Sequence, residues 1–385
     1  MAALACAPAA GAGTCGGLLQ PKCPPPPPPA PDPGGIESPD QPVPAPGKQF
    51  GFNSQLYRGG AATVDQELGA AQDAGATVHR MPVQWSTMQP NPADPPVPEG
   101  QATDEIDIFY AEALARGITP ILIPFAAPGW ATKYRSCGLL DFTCRHMATT
   151  GGLALIPDWP FIDEYETFVH AVKARWPRAI IESWNSPNHY YKHPTYRGSL
   201  DFTAAPGHFA RIQCAAYRAS KRVNDDPVLA AGWASRLYVE YVRGVYAAGG
   251  ADCWDRANLH AYPGESTSFG AGTNIARVFR DARMLRSQYG DEDPIWITET
   301  GYSTSGPYAV NEATQADGAR RLYNRYATMP DVEAVIFHTL RDAATEHYTS
   351  QEHPEYGFGF LRTNWWPKPV YCHFAGMAGS AYPGC

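Results

Sequence analysis

The chain has 385 residues, with 30 Lys plus Arg against 38 Asp plus Glu and a formal net charge of −8; its basic residues are dispersed, so the electrostatic footprint needed for a nucleic acid partner is missing. Apolar residues make up 44% and aromatics 12%, with 10 Trp and 21 Tyr, which excludes global disorder and provides for an aromatic-lined cleft. No apolar run approaches the roughly 20 residues of a membrane-spanning helix; the richest, Ile118 to Ala131, is interrupted by Pro120, Pro124 and Pro128.

Residues 1–20 are rich in Ala and Gly but lack a basic n-region, so they read at most as the remnant of a signal peptide. Residues 21–47 read as a Pro-rich linker, with six consecutive prolines from Pro24 to Pro29 that favour an extended polyproline spacer without a core. Gly11 to Gly16 matches a dinucleotide fingerprint as text, but no strand precedes it and no helix follows, so it is set aside.

From residue 48 to 385, short β-branched or apolar runs alternate with amphipathic segments. The expected strands are Gln49 to Asn53, Thr77 to Met81, Thr119 to Phe125, Ala179 to Trp184, Val228 to Trp233, Ala257 to Tyr262, Ile295 to Thr298 and Val332 to Phe337. Between them, stripes such as Phe168, Val169 and Val172 follow helical spacing. Eight alternations favour an α/β fold of the (β/α)8 TIM-barrel type, a single domain with its active site at the C-terminal mouths of the strands.

Of nine cysteines, six lie in this body, with no Cys-x-x-Cys spacing for zinc or redox chemistry. They read as three disulfides, with Cys137 to Cys144, Cys214 to Cys253 and Cys372 to Cys385 as the expected pairing, although sequence by itself leaves connectivity open. Disulfides imply an oxidising compartment, hence a secreted or cell-surface protein; reduced, buried cysteines in a cytosolic protein are the alternative.

Polar and aromatic residues recur where the strands stop: Asn53, Arg80 with Trp85, Trp130, Trp184-Asn185, His260-Ala261-Tyr262, Glu299 and His338 to Asp342. Several aromatics around one rim suit a cleft for sugar rings, whose apolar faces stack on indoles while their hydroxyls bond to polar groups. Glu299, closing an apolar strand two residues before Gly301, is the candidate nucleophile; Arg80 and Tyr262, if they converge on it, would hold it ionised and aimed. His189 and His193 stand four apart, but Pro194 argues against a continuing helix and no carboxylate accompanies them, so no metal site is expected.

A retaining glycosidase needs a second carboxyl about 5 to 5.5 Å from the nucleophile. In that place Ile181-Glu182-Ser183-Trp184-Asn185-Ser186-Pro187-Asn188 resembles the fourth-strand motif of clan A glycoside hydrolases, of the family 39 and family 5 type, whose usual reading is Trp-Asn-Glu-Pro-Asn. Val78 to Trp85 is similar to the clan's second strand, Leu259-His260-Ala261-Tyr262 to its sixth, Ile297-Thr298-Glu299-Thr300-Gly301 to its nucleophile strand, and Lys368-Pro369-Val370-Tyr371 to its closing segment. The resemblance covers essentially everything after the tail. It implies that Glu299 is the nucleophile, that Asn185 contacts a sugar 2-hydroxyl, and that Glu182 is a buried partner of Arg80.

The departure is Ser186, which stands where the clan places its acid/base glutamate. A hydroxyl is too weak an acid for that role, and general acid/base catalysis contributes about 10² to 10⁴ in rate. His189, Glu265 and Asp342 are the candidates for a displaced acid. The expected function is a glycoside hydrolase of retaining type acting on O-glycosidic bonds of a β-linked glycan, with Glu299 and Ser186 at the reacting centre. Asn185, Arg80, Trp85, Trp130, His260, Tyr262, His338 and Asp342 are expected to line the substrate site, with an oligosaccharide or polysaccharide as partner, no cofactor and a monomeric state. A non-catalytic carbohydrate-binding protein with the same cleft is the alternative. A cytosolic barrel enzyme for phosphorylated metabolites is disfavoured, since no Gly-rich phosphate loop lies near the seventh and eighth strands.

Overall fold

The computed structural model describes residues 40–54, 60–136, 155–189, 204–234, 238–263, 275–343 and 353–385. The signal remnant, most of the linker, the Cys137 to Cys144 pair, Glu265 and residues 190–193 lie outside the described residues.

Among the described residues eight strands are present: β1 (Gln49–Asn53), β2 (Val78–Gln84), β3 (Thr119–Phe125), β4 (Ile180–Glu182), β5 (Val228–Leu229), β6 (Ala257–His260), β7 (Ile295–Thr300) and β8 (Val332–Phe337). Among the described residues the α-helices are α1 (Gly60–Asp73), the short α2 (Trp85–Met88), α3 (Gln101–Ala115), α4 (Ile162–Arg175), α5 (Pro206–Lys221), α6 (Tyr238–Ala247), α7 (Ile275–Gln288), α8 (Glu312–Ala327) and α9 (Pro369–Met377). All strand pairs are parallel, in the order β5-β4-β3-β2-β1-β8-β7-β6. The two ends meet through bridges of Leu229 with Arg256 and Ala234 with His260. There the Ala230 N–H donates to the Arg256 carbonyl and the His260 N–H to the Trp233 carbonyl, each at 2.9 Å. The wall therefore closes as a (β/α)8 barrel.

Parallel strands buried on both faces demand near-continuous apolar sequence, as in the Thr-Pro-Ile-Leu-Ile-Pro-Phe run of β3. One alternate set, Val78, Ile121, Ile180, Leu229, Trp296, Ala334 and Ile336, fills the barrel interior. The other set, including Phe52, Met81, Ile181, Ile297 and Val335, packs outward in the layer shared with the helices. Helix α9 closes the helical ring: its Phe374 stacks on Phe50 of β1 at 5.3 Å and its Tyr371 hydroxyl donates to the Ala70 carbonyl of α1. Two of the expected disulfides are formed, Cys214 of α5 with Cys253 and Cys372 of α9 with Cys385.

Two expectations are corrected here. Residues 40–47 were read as linker, but Val43 and Ala45 are buried in the core and the segment docks on α8. Asp40 pairs with Arg320 at 3.0 Å, and the Tyr323 hydroxyl bonds both the Pro42 carbonyl and the Ala45 N–H at 2.8 Å. Proline content marks an extended chain, and an extended chain can equally lie along a helix as project from it. Second, β5 is shorter than expected, because beyond Leu229 the ladder continues only as isolated bridges, including Asn185 with Gly232.

Candidate active site

At the C-terminal mouth of the barrel the apolar interior gives way to polar side chains centred on Arg80 of β2. Its guanidinium is buried and holds Glu182 of β4 with two bonds, Nε to Oε2 at 2.7 Å and Nη2 to Oε1 at 2.6 Å. The remaining donors reach Glu299 Oε1 at 2.8 Å, Asn185 Oδ1 at 2.7 Å and Asn53 Oδ1 at 3.2 Å. One fork thus ties groups from β1, β7 and the β4 segment to β2. Burial alone would push the Glu182 carboxyl up, but the Arg80 charge and a contact with His260 hold it below its ordinary value.

Glu299 owes its inward aim to an irregularity. From Asn258 to His260, β6 advances two residues while β7 advances three, from Trp296 to Glu299; from Val335 to Phe337, β8 again advances two while β7 goes from Ile297 to Thr300. The extra residue is a bulge at the strand end, which re-aims a side chain. Consequently the consecutive residues Thr298 and Glu299 both face the barrel axis, Thr298 bonding Asn258 Oδ1 at 2.8 Å and Glu299 bonding Arg80.

Glu299 Oε2 accepts from the Tyr262 hydroxyl at 2.9 Å and lies 3.2 Å from His260 Nδ1. Burial would raise this carboxyl, but His260, Arg80, His338 and the Tyr262 hydroxyl together bring it down to about 2. Burial and the adjacent Glu299 charge push the Tyr262 phenol well up, so it stays a donor. The carboxylate is ionised, gripped on both oxygens and slightly open to solvent, which suits a nucleophile.

Ser186 adopts a left-handed backbone with φ of 43°. Its N–H donates to the Gly232 carbonyl at 3.0 Å, and its Oγ stands 2.9 Å from the same His260 Nδ1 that faces Glu299. Ser186 and Glu299 therefore both lie within reach of one ring nitrogen. Gly232 makes this packing possible, since a Cβ there would stand 1.9 Å from His260 Nε2 and 2.8 Å from Glu182 Oε1.

On the opposite rim, His338 bridges Asn53 Nδ2 at 3.2 Å and Glu355 at 2.7 Å. Burial lowers its imidazole and the Glu355 and Glu299 carboxylates raise it, with a net shift upward. Tyr262, His338 and Phe358 form an edge-to-face trio with centroids 5.3 to 6.4 Å apart. Glu355 went unnoticed in the sequence because nothing in His353-Pro354-Glu355-Tyr356 ties that loop to β8.

Two expected cleft residues are placed elsewhere. Trp85 is 0% exposed, stacked on Phe168 of α4 at 5.5 Å with its N–H on Gln89, so its ring has no free face for a sugar. Asp342 is buried in an ion pair with Lys368 at 2.8 Å and accepts the Gly359 N–H at 2.8 Å; burial, which Lys368 only partly offsets, raises it to about 6. It locks the segment after β8 to the start of α9 and is spent in doing so. Trp130 is half-buried, edge-on to Trp85 and Phe161. His189 follows Ser186 closely, its N–H on the Ser186 carbonyl at 3.0 Å.

No protein-family model matches the sequence, and no curated protein is similar to it. Solved structures are similar. A family 39 glycoside hydrolase from Bacteroides cellulosilyticus superposes with a TM-score of 0.60 at 18% identity, covering 86% of this chain, which spans 64% of that one. The fold is that of family 39 and family 5 glycoside hydrolases. A family 5 subfamily 18 protein from Streptomyces cattleya, in complex with GlcNAc, gives 0.62 at 17% identity over 86% of this chain and 80% of that one. A variant of the subfamily 18 protein from Bifidobacterium longum, in complex with Manβ1-4GlcNAc, gives 0.64 at 13% identity over 86% and 78%. Among the described residues, no helix is long and apolar enough to cross a membrane.

Proposed function

We propose that the chain is a glycoside hydrolase of retaining type acting on the O-glycosidic bond of a β-linked glycan or glycoside, with Glu299 as nucleophile. The observation that carries this reading is the double grip on an ionised Glu299 by Arg80 and Tyr262 at the barrel mouth. A carboxylate so held attacks the anomeric carbon and departs again when water hydrolyses the glycosyl ester. In this reading Asn185, whose Oδ1 accepts from Arg80 at 2.7 Å, contacts the 2-hydroxyl. The sugar-bound structural relatives support a saccharide ligand, and the two disulfides support a secreted or cell-surface location. We further propose that it works as a monomer.

The test is intact mass after incubation with activated 2-fluoro glycosides, which carry their own leaving group and need only an aimed carboxylate. A stable adduct mapping to Glu299 and absent from Glu299→Gln is the expected result. An adduct on another carboxylate overturns the assignment. Ser186 favours a second reading, a carbohydrate-binding protein without turnover; saccharide binding with no adduct across a broad sugar panel would select it.

A further inference from the structure

We infer that His260 supplies the proton for the leaving group and that Ser186 hands it on, so that a histidine and serine relay does the work of the missing acid. This rests on the glycosidase reading of Glu299.

The hydrogen bonds around the ring carry the inference. Asn258 Nδ2 donates to the Ala230 carbonyl at 3.0 Å, which makes its Oδ1 the acceptor of the Thr298 hydroxyl proton at 2.8 Å. Thr298 Oγ1 is then left to accept from His260 Nε2, 3.2 Å away. Arg80 Nη2, at 3.5 Å from the same nitrogen, directs its hydrogens to Glu182 Oε1 and Asn185 Oδ1. With Nε2 a donor, the exchangeable site of the ring is Nδ1, which stands 2.9 Å from Ser186 Oγ and 3.2 Å from Glu299 Oε2. A bare Nδ1 would set its lone pair 3.2 Å from a carboxylate oxygen, whereas a proton there bonds Ser186 Oγ and offsets the Glu299 charge. The charged groups facing the ring are Arg80 from β2, Glu182 from β4 at 3.9 Å and Glu299 from β7.

This arrangement couples the proton to the chemistry. As Glu299 bonds to the anomeric carbon it loses the charge that stabilises the Nδ1 proton. That proton moves to Ser186 Oγ while the serine's own proton passes to the departing glycosidic oxygen, and the carbon–oxygen bond breaks. In the second step a water gives a proton to Ser186 Oγ, the serine proton returns to Nδ1, the water oxygen bonds to the anomeric carbon, and the ester to Glu299 breaks. Protons and electrons balance over the cycle, and the left-handed Ser186 backbone keeps the hydroxyl beside the ring.

The experiment uses aryl glycosides of one sugar, from acidic to weakly acidic phenols, with wild type, Ser186→Ala, Ser186→Glu and His260→Asn. Ser186→Ala is expected to lose about 10² in kcat/KM on the poorest leaving group and only a few-fold on the best, the lower range for general acid catalysis. His260→Asn should show the same leaving-group dependence in wild type but add none in the Ser186→Glu background, where a carboxyl donates directly. The wild-type solvent isotope effect on a poor leaving group should require two protons in flight and fall to one or none in Ser186→Ala. Equal losses across all leaving groups, or a His260→Asn effect unchanged by Ser186→Glu, would overturn the relay while leaving Glu299 in place. Absence of both the 2-fluoro adduct and turnover of the best leaving group would overturn the glycosidase reading, and the relay with it.

Discussion

Gly232 and His260 approach so closely that a side chain on residue 232 would overlap the imidazole, with Cβ at 1.9 Å from Nε2. The glycine is what lets the ring lie between Ser186, Glu299 and Thr298. Gly232→Ala should therefore displace His260 and lower kcat by about 10² while the cooperative unfolding transition persists, because a misplaced group near the chemistry costs on that order. Activity assays paired with thermal melts decide it; wild-type kcat would mean the ring is not held as described.

The lowered Glu299 pKa makes an acid-limb prediction. A carboxyl held at about 2 in the folded state and near 4.3 when unfolded contributes stability that is fully present above the unfolded value. That contribution is lost as pH falls from about 4.3 through about 2. Urea titrations over this range should show the wild-type decline flattened in Glu299→Gln. Parallel pH profiles for the two proteins would show that Glu299 is not the group responsible.

Trp85→Ala should cost about 3 to 5 kcal/mol of stability, the usual result of emptying a buried aromatic site. Sugar affinity of the folded fraction should be unchanged, since the ring is enclosed by Phe168, Tyr165 and Trp130. Calorimetric binding alongside denaturation separates the two, and a selective loss of affinity would return Trp85 to the cleft.

The Cys214 to Cys253 bridge spans 39 residues and Cys372 to Cys385 spans 13. In the chain-entropy view, removing the first should cost about 1 kcal/mol more than removing the second, within the usual 2 to 4 kcal/mol each. Thiol counting on unfolded, unreduced protein should find these four cysteines unreactive. Reaction at Cys214, Cys253, Cys372 and Cys385, over and above the other five cysteines, would remove the support for export.

Local pattern carried the architecture. Strands β1, β3 and β8 have the bounds their apolar runs predict, because a strand buried on both faces has to be written as a continuous apolar segment wherever it lies in the chain. Arg80, Tyr262 and Glu299 stood out by residue type beside the expected strands and Glu182 through the family resemblance, and the structure brings the four together.

What the linear order does not contain is anything that depends on how neighbouring strands slide against each other. The two-residue period sends Glu299 outward after Thr298, and only a bulge measured against β6 and β8 turns both inward. Whether Trp85 meets sugar or Phe168, and whether Asp342 faces the cleft or Lys368, depends on which helix covers which strand end, a contact between residues 26 to 83 positions apart. The same holds for His260 and Ser186, 74 residues apart and joined only when β4 and β6 close on the short β5 through Gly232. A hydroxyl in place of a carboxyl is visible in the sequence; the imidazole placed to supply its proton exists only in the closed barrel.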